Sequence, residues 1–397
     1  DVNRRKANMG LEPLPDIDFN IRAGNTLVGF ATEQELMDGL HEGLFTSQRV
    51  QEFKEKTALV AQAFKRFQDA QLVRKPYQEA KADYKRRLNE LNEELNQYLA
   101  QSYDVDPDKK TAYAKWKESH RPFHWFTEFY EIVVNNGGFD VIIGNPPYVQ
   151  IRKVGYRFVE GTYHSMAGKN LYSLVLERCL KIIKDKAFFG MIVPVSICSG
   201  EKFEFIIKKL FSKNSWISSF SNRPGKLFDG VEQRLSVFVV KNESGICHSS
   251  AYQHWYSEER SSLFQKLFFG FAPTVGIFPL KTGSAIAANI LSKLFSAPNK
   301  LFALGGNSNS VWFHDAPTYW VRSLPFCPEE NMNENSSHYH EIAVNSKENA
   351  KLVTLLLASS AFYISYKVLS NCRDFGINNI QSFCYPSGIT NVDALLR

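Results

Sequence analysis

The chain has 397 residues, 44% of them hydrophobic, and its 47 lysines and arginines outnumber its 41 aspartates and glutamates for a formal charge of +6. This length and apolar share predict two or three domains with substantial cores and exclude a disordered tail, while the mild basic excess is compatible with a phosphate-binding surface and far from a histone-like extreme. No apolar run approaches the ~20 residues of a membrane span and no signal-peptide pattern occurs, so the expected setting is cytoplasmic, with no membrane partner.

In chain order, Ile17 to Leu27 (IDFNIRAGNTL) reads as a strand followed by a Gly-Asn turn. From about Glu33 charged and amide residues dominate and Gly and Pro become sparse. Tyr84, Leu88, Leu91, Leu95 and Tyr98 step by four and three, the seam of a helical hairpin or short coiled coil, with Pro76 separating two helices and Asp104 to Lys110 forming a turn. The basic residues of this stretch (Lys65, Arg66, Arg74, Lys75, Lys81, Lys85, Arg86, Arg87) alternate with acids, which favours a solvated face over a DNA-backbone contact. Phe139 to Gln150 (FDVIIGNPPYVQ) then reads as a strand buried on both faces of a parallel sheet, ending at Gly144 and delivering Asn145-Pro146-Pro147-Tyr148 at its carboxyl end, where such sheets bind ligands. A loop with Arg152, Lys153, Tyr156, Arg157, Tyr163, His164 and Lys169 follows. Asn170-Leu171-Tyr172 opens a helical pattern (Leu176, Cys179, Leu180, Ile183), and Asp185-Lys186-Ala187 is the expected turn into a strand over 188–195. Lys226 to Arg234 precedes another strand, Leu235 to Val240. Beyond Ser244 the pattern loosens; Phe278 to Gly283 opens a new region with Tyr319 to Arg322, an apolar helix from Lys351 to Ala361, and Ser370 to Asp374.

The six cysteines (Cys179, Cys198, Cys247, Cys327, Cys372, Cys384) form no CxxC pair and no zinc-like spacing with histidine, so reduced thiols and no metal are expected. His338 and His340 flank Tyr339 in a polar segment that reads as a solvated loop.

The tetrapeptide has specific chemistry. Asn145 offers an amide oxygen; Pro147 biases Pro146 away from the helical region; neither proline carries an N–H, so a stiff turn with exposed carbonyls results. Two acceptors, the Asn145 side chain and the Pro146 carbonyl, would draw the protons of an exocyclic amino group and make its delocalised nitrogen nucleophilic. Tyr148 supplies a face on which a base can stack, worth roughly 1–3 kcal/mol. The competing reading is a Pro-Pro turn with Tyr148 as packing.

These residues, with Phe123-His124-Trp125, Glu128-Phe129 and Gly137 to Asp140 upstream and Gly190 to Pro194 downstream, resemble the gamma-class N6-adenine DNA methyltransferases, and among them the fused restriction-modification enzymes of type IIG. The resemblance implies an α/β chain: a partial Rossmann-like methyltransferase core with a helical insertion and a C-terminal α+β target-recognition region. Its domains are a first core piece over 1–33, the insertion over 34–120, the core with the tetrapeptide over 121–243, a linker over 244–277, and an incomplete recognition domain over 278–397. It implies transfer of a methyl from S-adenosylmethionine to a flipped-out adenine in double-stranded DNA within a bacterial or archaeal cell. Asn145, Pro146, Pro147 and Tyr148 would be catalytic, Tyr148 and Phe228 would sandwich the base, and Asn25 would touch the cofactor's adenine. Arg152, Lys153, Arg157, Lys169 and Arg234 would approach DNA. The family's acidic, Gly-rich cofactor loop is not found, and Gly305-Gly306-Asn307 follows no clear strand. The sequence therefore reads as a fragment of a longer polypeptide whose N-terminal part is missing, nuclease included, and which is inactive in isolation. Two rivals stay open: a methyltransferase acting on RNA or a protein glutamine, and a non-catalytic DNA-binding fragment.

Overall fold

A computed structural model describes residues 19–41, 47–73, 77–317, 320–328, 338–373, 375–381 and 383–387. Ile17, Asp18, Arg74, Lys75, Pro76, Tyr319 and Asp374, singled out above, lie outside them. The first elements are α1 (Glu33–His41), α2 (Ser47–Val73), α3 (Tyr77–Gln101), α4 (Lys110–His120), the short α5 (Trp125–Glu128), β1 (Phe139–Gly144), α6 (Leu171–Ile182) and β2 (Ile183–Pro194). There follow α7 (Glu204–Phe211), β3 (Lys213–Phe220), β4 (Leu235–Ser244), β5 (Cys247–Ser249), β6 (Gly270–Phe271), β7 (Thr274–Val275), β8 (Phe278–Pro279) and α8 (Ala285–Phe295). The last are β9 (Asn299–Lys300), β10 (Gly305–His314), β11 (Ser323–Leu324), β12 (Tyr339–Val344), α9 (Lys347–Ala358), α10 (Ser360–Leu369), α11 (Ile377–Gln381) and β13 (Cys384–Tyr385). The fold is mixed α/β.

By compactness the chain divides into Asp1–Asp140 with Gln150–Tyr163 and Leu174–Asp185, and Val141–Val149 with His164–Ser173 and Lys186–Arg397. In the first unit α2 and α3 pack side by side. Tyr84, Leu88, Leu91 and Leu95 are buried in one cluster with Phe53, Val60 and Phe67, because steps of four and three keep them on one face of the helix. On the other face Arg86 pairs with Asp83 and Glu90, and Arg87 with Asp83, so these cations are held by acids of their own helix.

The segment from Asn25 to Phe30 runs against 121–125. Asn25 N donates to Arg121 O (2.8 Å), Phe123 N to Val28 O (2.7 Å) and Trp125 N to Phe30 O (2.9 Å). Gly29 sits at φ +120°, and a Cβ there would stand 2.3 Å from the Phe123 carbonyl oxygen, so the close approach requires glycine. His124 stitches the pair to α3: its Nδ1 accepts from Phe30 N (3.2 Å) and its Nε2 donates to Asn96 Oδ1 (3.1 Å).

The second unit is built on a sheet ordered β1-β2-β4-β3-β5-β6. β4 is antiparallel to both β2 (Phe188↔Lys241 to Pro194↔Leu235) and β3, and β3 is parallel to β5. The sheet is thus mixed, not parallel throughout. β1 corrects a second expectation. Val141 is 62% and Ile143 84% exposed, because β1 is an edge strand among the described residues and its second face has no cover.

Three further differences are local. No turn separates α6 from β2; the expected turn residues lie within β2, where Lys186 takes φ +61°. The single helix expected over 351–361 is two, broken at Ser359, which adopts extended backbone and caps α10 by accepting from Phe362 N (3.2 Å). Both helices pack on the β11-β10-β12 sheet through Val353, Leu357 and Phe362 against Val311 and Phe313. His340 is in β12 opposite Phe313, not in a loop, and His338 and His340 bracket the Asp315 carboxylate at 2.9 and 3.3 Å.

Candidate active site

β1 stops at Gly144 against β2, where a Cβ would meet Met191 Sδ at 3.1 Å. Beyond it Pro146 is buried, Tyr148 half-buried and Asn145 exposed. Tyr148 Oη lies 2.6 Å from Asn145 Oδ1 and 2.9 Å from Ile192 O. A phenol has one proton, so it donates to one of these acceptors at a time. Burial pushes the Tyr148 hydroxyl up to about 12, which keeps it a donor across the physiological range. The tetrapeptide is thereby clamped to β2 by its last residue. The Ile192 carbonyl that closes the clamp is a backbone group that no side-chain pattern announces.

Phe228 lies on the loop that leads into β4. Leu235 opposite Pro194, together with the bond from Val195 N to Arg234 O (3.0 Å), brings this loop to the end of β2 just past Ile192. Phe228 is half-buried; its carbonyl accepts from Val231 N, and Gly230 turns the chain at φ +76°. Arg260, which the sequence did not mark, braces the loop from outside by donating to Leu227 O (2.9 Å) and Lys226 O (2.6 Å). Lys226 also pairs with Glu232. Asn145, Pro146, Pro147, Tyr148, Lys169, Phe228 and Arg234 all belong to the second unit, and Asn25, Arg152, Lys153 and Arg157 to the first.

Among the basic candidates, Arg152 donates to Gln150 Oε1 (2.9 Å), and Lys153 and Lys169 are exposed, the latter at φ +51°. Arg157 is engaged by Tyr103 O and by Asp104 at 2.9 Å. Asn25 builds its own turn: Oδ1 accepts from Leu27 N (3.2 Å), and the carboxamide also bonds the Tyr156 hydroxyl. A contact from Asn25 to a bound adenine would have to draw on the amide hydrogens that Tyr156 shares.

Behind this turn the first unit holds a buried ionic cluster. Arg178 Nε and Nη2 donate to Tyr163 Oη (3.0 and 2.6 Å), Nη1 to Glu35 Oε2 (2.8 Å) and Nη2 to Gly29 O (3.1 Å), while Tyr163 Oη donates to Leu27 O (2.7 Å). Burial alone would raise the Glu35 carboxyl, but Arg178 and Lys181 outweigh it and hold it below the ordinary value. Arg178 escaped the sequence reading; a lone cation between Leu176 and Cys179 on an apolar helix face was the available signal.

Residues 37–228 match the family described as Eco57I restriction-modification methylase. A putative type II restriction enzyme and methyltransferase of Methanocaldococcus jannaschii, RM.MjaORFECS2P, is 25% identical over 239 residues, covering 50% of this chain and 20% of that protein. Modification methylase CviBIII of Paramecium bursaria Chlorella virus NC1A is 32% identical over 110 residues, 28% of each chain. The chain thus spans between a fifth and three tenths of the length of these curated relatives. Among solved structures, the ATP-dependent type ISP restriction-modification enzyme LlaBIII bound to DNA overlaps 64% of this chain and 29% of its own, at 10% identity and a TM-score of 0.33.

Proposed function

We propose that the chain, whose residues 37–228 match the Eco57I restriction-modification methylase family, transfers a methyl group from S-adenosylmethionine to the N6 amino group of an adenine flipped out of duplex DNA. The observation that carries the reading is the clamped tetrapeptide: Asn145 Oδ1 and the Pro146 carbonyl at the end of β1, with the Tyr148 hydroxyl between Asn145 Oδ1 and Ile192 O.

A base in the stack is out of reach, so it is extruded at a cost of a few kcal/mol, offset by stacking and edge hydrogen bonds. Tyr148 and Phe228 supply the two faces. Asn145 Oδ1 and the Pro146 carbonyl accept the two N6 hydrogens, which localises the nitrogen lone pair. Asn145 Oδ1 has two lone pairs, so it accepts an N6 hydrogen whether or not the Tyr148 hydroxyl also donates to it. The Ile192 carbonyl is a second acceptor for the phenol, so Tyr148 stays satisfied when the base takes up Oδ1. S-adenosylmethionine, when bound, supplies an electrophilic methyl on a sulfonium; Asn25 is the described residue that would touch its adenine. As the N–C bond forms the C–S bond breaks, and the surplus N6 proton leaves to water.

The test incubates the full chain, and its Asn145→Ala variant, with methyl-labelled S-adenosylmethionine and equal amounts of unmethylated duplex DNA, RNA and unmethylated protein. The expected outcome is label in N6-methyladenine of DNA, lost in Asn145→Ala with little change in melting temperature. Near-normal transfer by the variant, or label in RNA or protein alone, overturns the assignment.

A further inference from the structure

The second unit contains a polar cavity of about 200 Å³ that the methyl-transfer site does not use. Asn170 and Tyr172 at the start of α6, Ser196 after β2, Arg234 before β4, and Asn371 and Arg373 after α10 line it. Pieces of chain far apart in sequence thus converge on one hole. The wall is firm. Tyr172 is 1% exposed and shares a hydrogen bond with Ser196 Oγ at 2.9 Å. The Arg234 backbone is fixed by Val195 N, and the turn that presents Arg373 is tied down where buried Lys281 donates to Ser370 O at 2.9 Å.

Two observations indicate what the cavity holds. The first is charge: two arginines are among its lining residues, of which Arg234 also bonds the Tyr252 hydroxyl, and the lining acid, Glu232, is matched by Lys226. The second is an orphan. Asn170 Oδ1 is buried with no hydrogen-bond partner, although Asn170 O accepts from Ser173 Oγ at 2.8 Å. Buried polar atoms are rarely left so, and a carboxamide turned over offers N–H donors in place of the oxygen. Guanidinium forks and an amide around a small polar hole match the oxygens of a phosphate.

We propose that this cavity grips one backbone phosphate of duplex DNA beside the extruded nucleotide, with Arg234 and Arg373 as its two jaws and Asn170 as a third donor. The placement follows from the wall: Pro194 and Ser196 lie just past Ile192, whose carbonyl holds Tyr148. The inference rests on the reading of the chain as a DNA methyltransferase and adds the C-terminal Arg373 to the surface that meets DNA.

Phosphate contacts are independent of sequence, so a mixed-sequence duplex serves as the probe. Binding of the labelled duplex to the full chain is followed by anisotropy over a salt series for wild type, Arg373→Gln, Arg373→Lys and Arg234→Gln/Arg373→Gln. Loss of one phosphate contact flattens the slope of log K against log salt by about 0.9. The fourfold rise from about 50 to about 200 mM salt then costs the double variant roughly 3.5-fold less affinity than wild type. Arg373→Lys retains most of the wild-type slope, and unchanged melting curves exclude misfolding. Wild-type slopes in every variant overturn the pocket and leave the methyltransferase reading standing. A flattening of about 1.8 in the double variant means two separate phosphates and overturns the shared jaws. Failure of wild type to bind any duplex overturns both readings.

Discussion

His124 is buried, accepts from Phe30 N through Nδ1 and donates to Asn96 Oδ1 through Nε2. Both bonds suit the neutral ring with its proton on Nε2; a second proton on Nδ1 would face an N–H donor. Burial, reinforced by the Arg178 charge, pushes the imidazole from 6.5 down to about 3. The folded pKa is depressed, so the unfolded chain binds the extra proton first. The stability contributed is complete above about 6.5 and is lost progressively as pH falls towards 3. Between about pH 7 and about pH 5 the loss from this ring amounts to about 2 kcal/mol. Urea unfolding of the full chain, followed by tryptophan fluorescence at both pH values, measures it against His124→Gln. The variant is less stable at either pH but lacks this increment, and contributions from other groups cancel in the difference. Equal pH dependence in the two proteins, or an imidazole resonance of His124 titrating near 6.5, refutes the argument.

Two further substitutions test the same unit. Arg178→Met leaves Glu35 with Lys181 alone and strips Tyr163 of its donor, so the unit should lose about 3 kcal/mol by urea unfolding, at the low end for breaking a buried pair. A loss under about 1 kcal/mol would mean that the cluster relaxes. Gly29→Ala forces a Cβ into the Phe123 carbonyl at a φ that side chains rarely adopt, and should cost at least about 2 kcal/mol and weaken the pairing of 25–30 with 121–125. Unchanged hydrogen-exchange protection of the Phe123 and Trp125 amides would contradict this.

What could be read from the sequence was what local chemistry dictates. The seam from Tyr84 to Leu95 was legible because burial on a helix repeats at fixed spacing, and the end of β1 at Gly144 because two prolines that lack N–H groups follow it closely. What escaped depends on neighbours. The exposure of Val141 and Ile143 is set by what packs on the face of the sheet, and the break at Ser359 by a cap that competes with an otherwise helical run. Phe123-His124-Trp125 stood out as a segment, but its partners at Val28, Phe30 and Asn96 are long-range contacts that no local pattern encodes. The Arg178 cluster was hidden for the same reason.

The margin of β1, uncovered among the described residues, bears on the proposed site as well as on packing. A strand with hydrogen-bonded support on one side and bare isoleucine and valine on one face twists more freely than an interior strand, and its last residue rides on that twist. The next residue is Asn145, whose carboxamide has to meet an amino group at hydrogen-bond distance in the proposed transfer. Any backbone that docks along this margin, and any apolar surface that covers Val141 and Ile143, would set the aim of that amide. Completing the sheet and aiming Asn145 would then be one event.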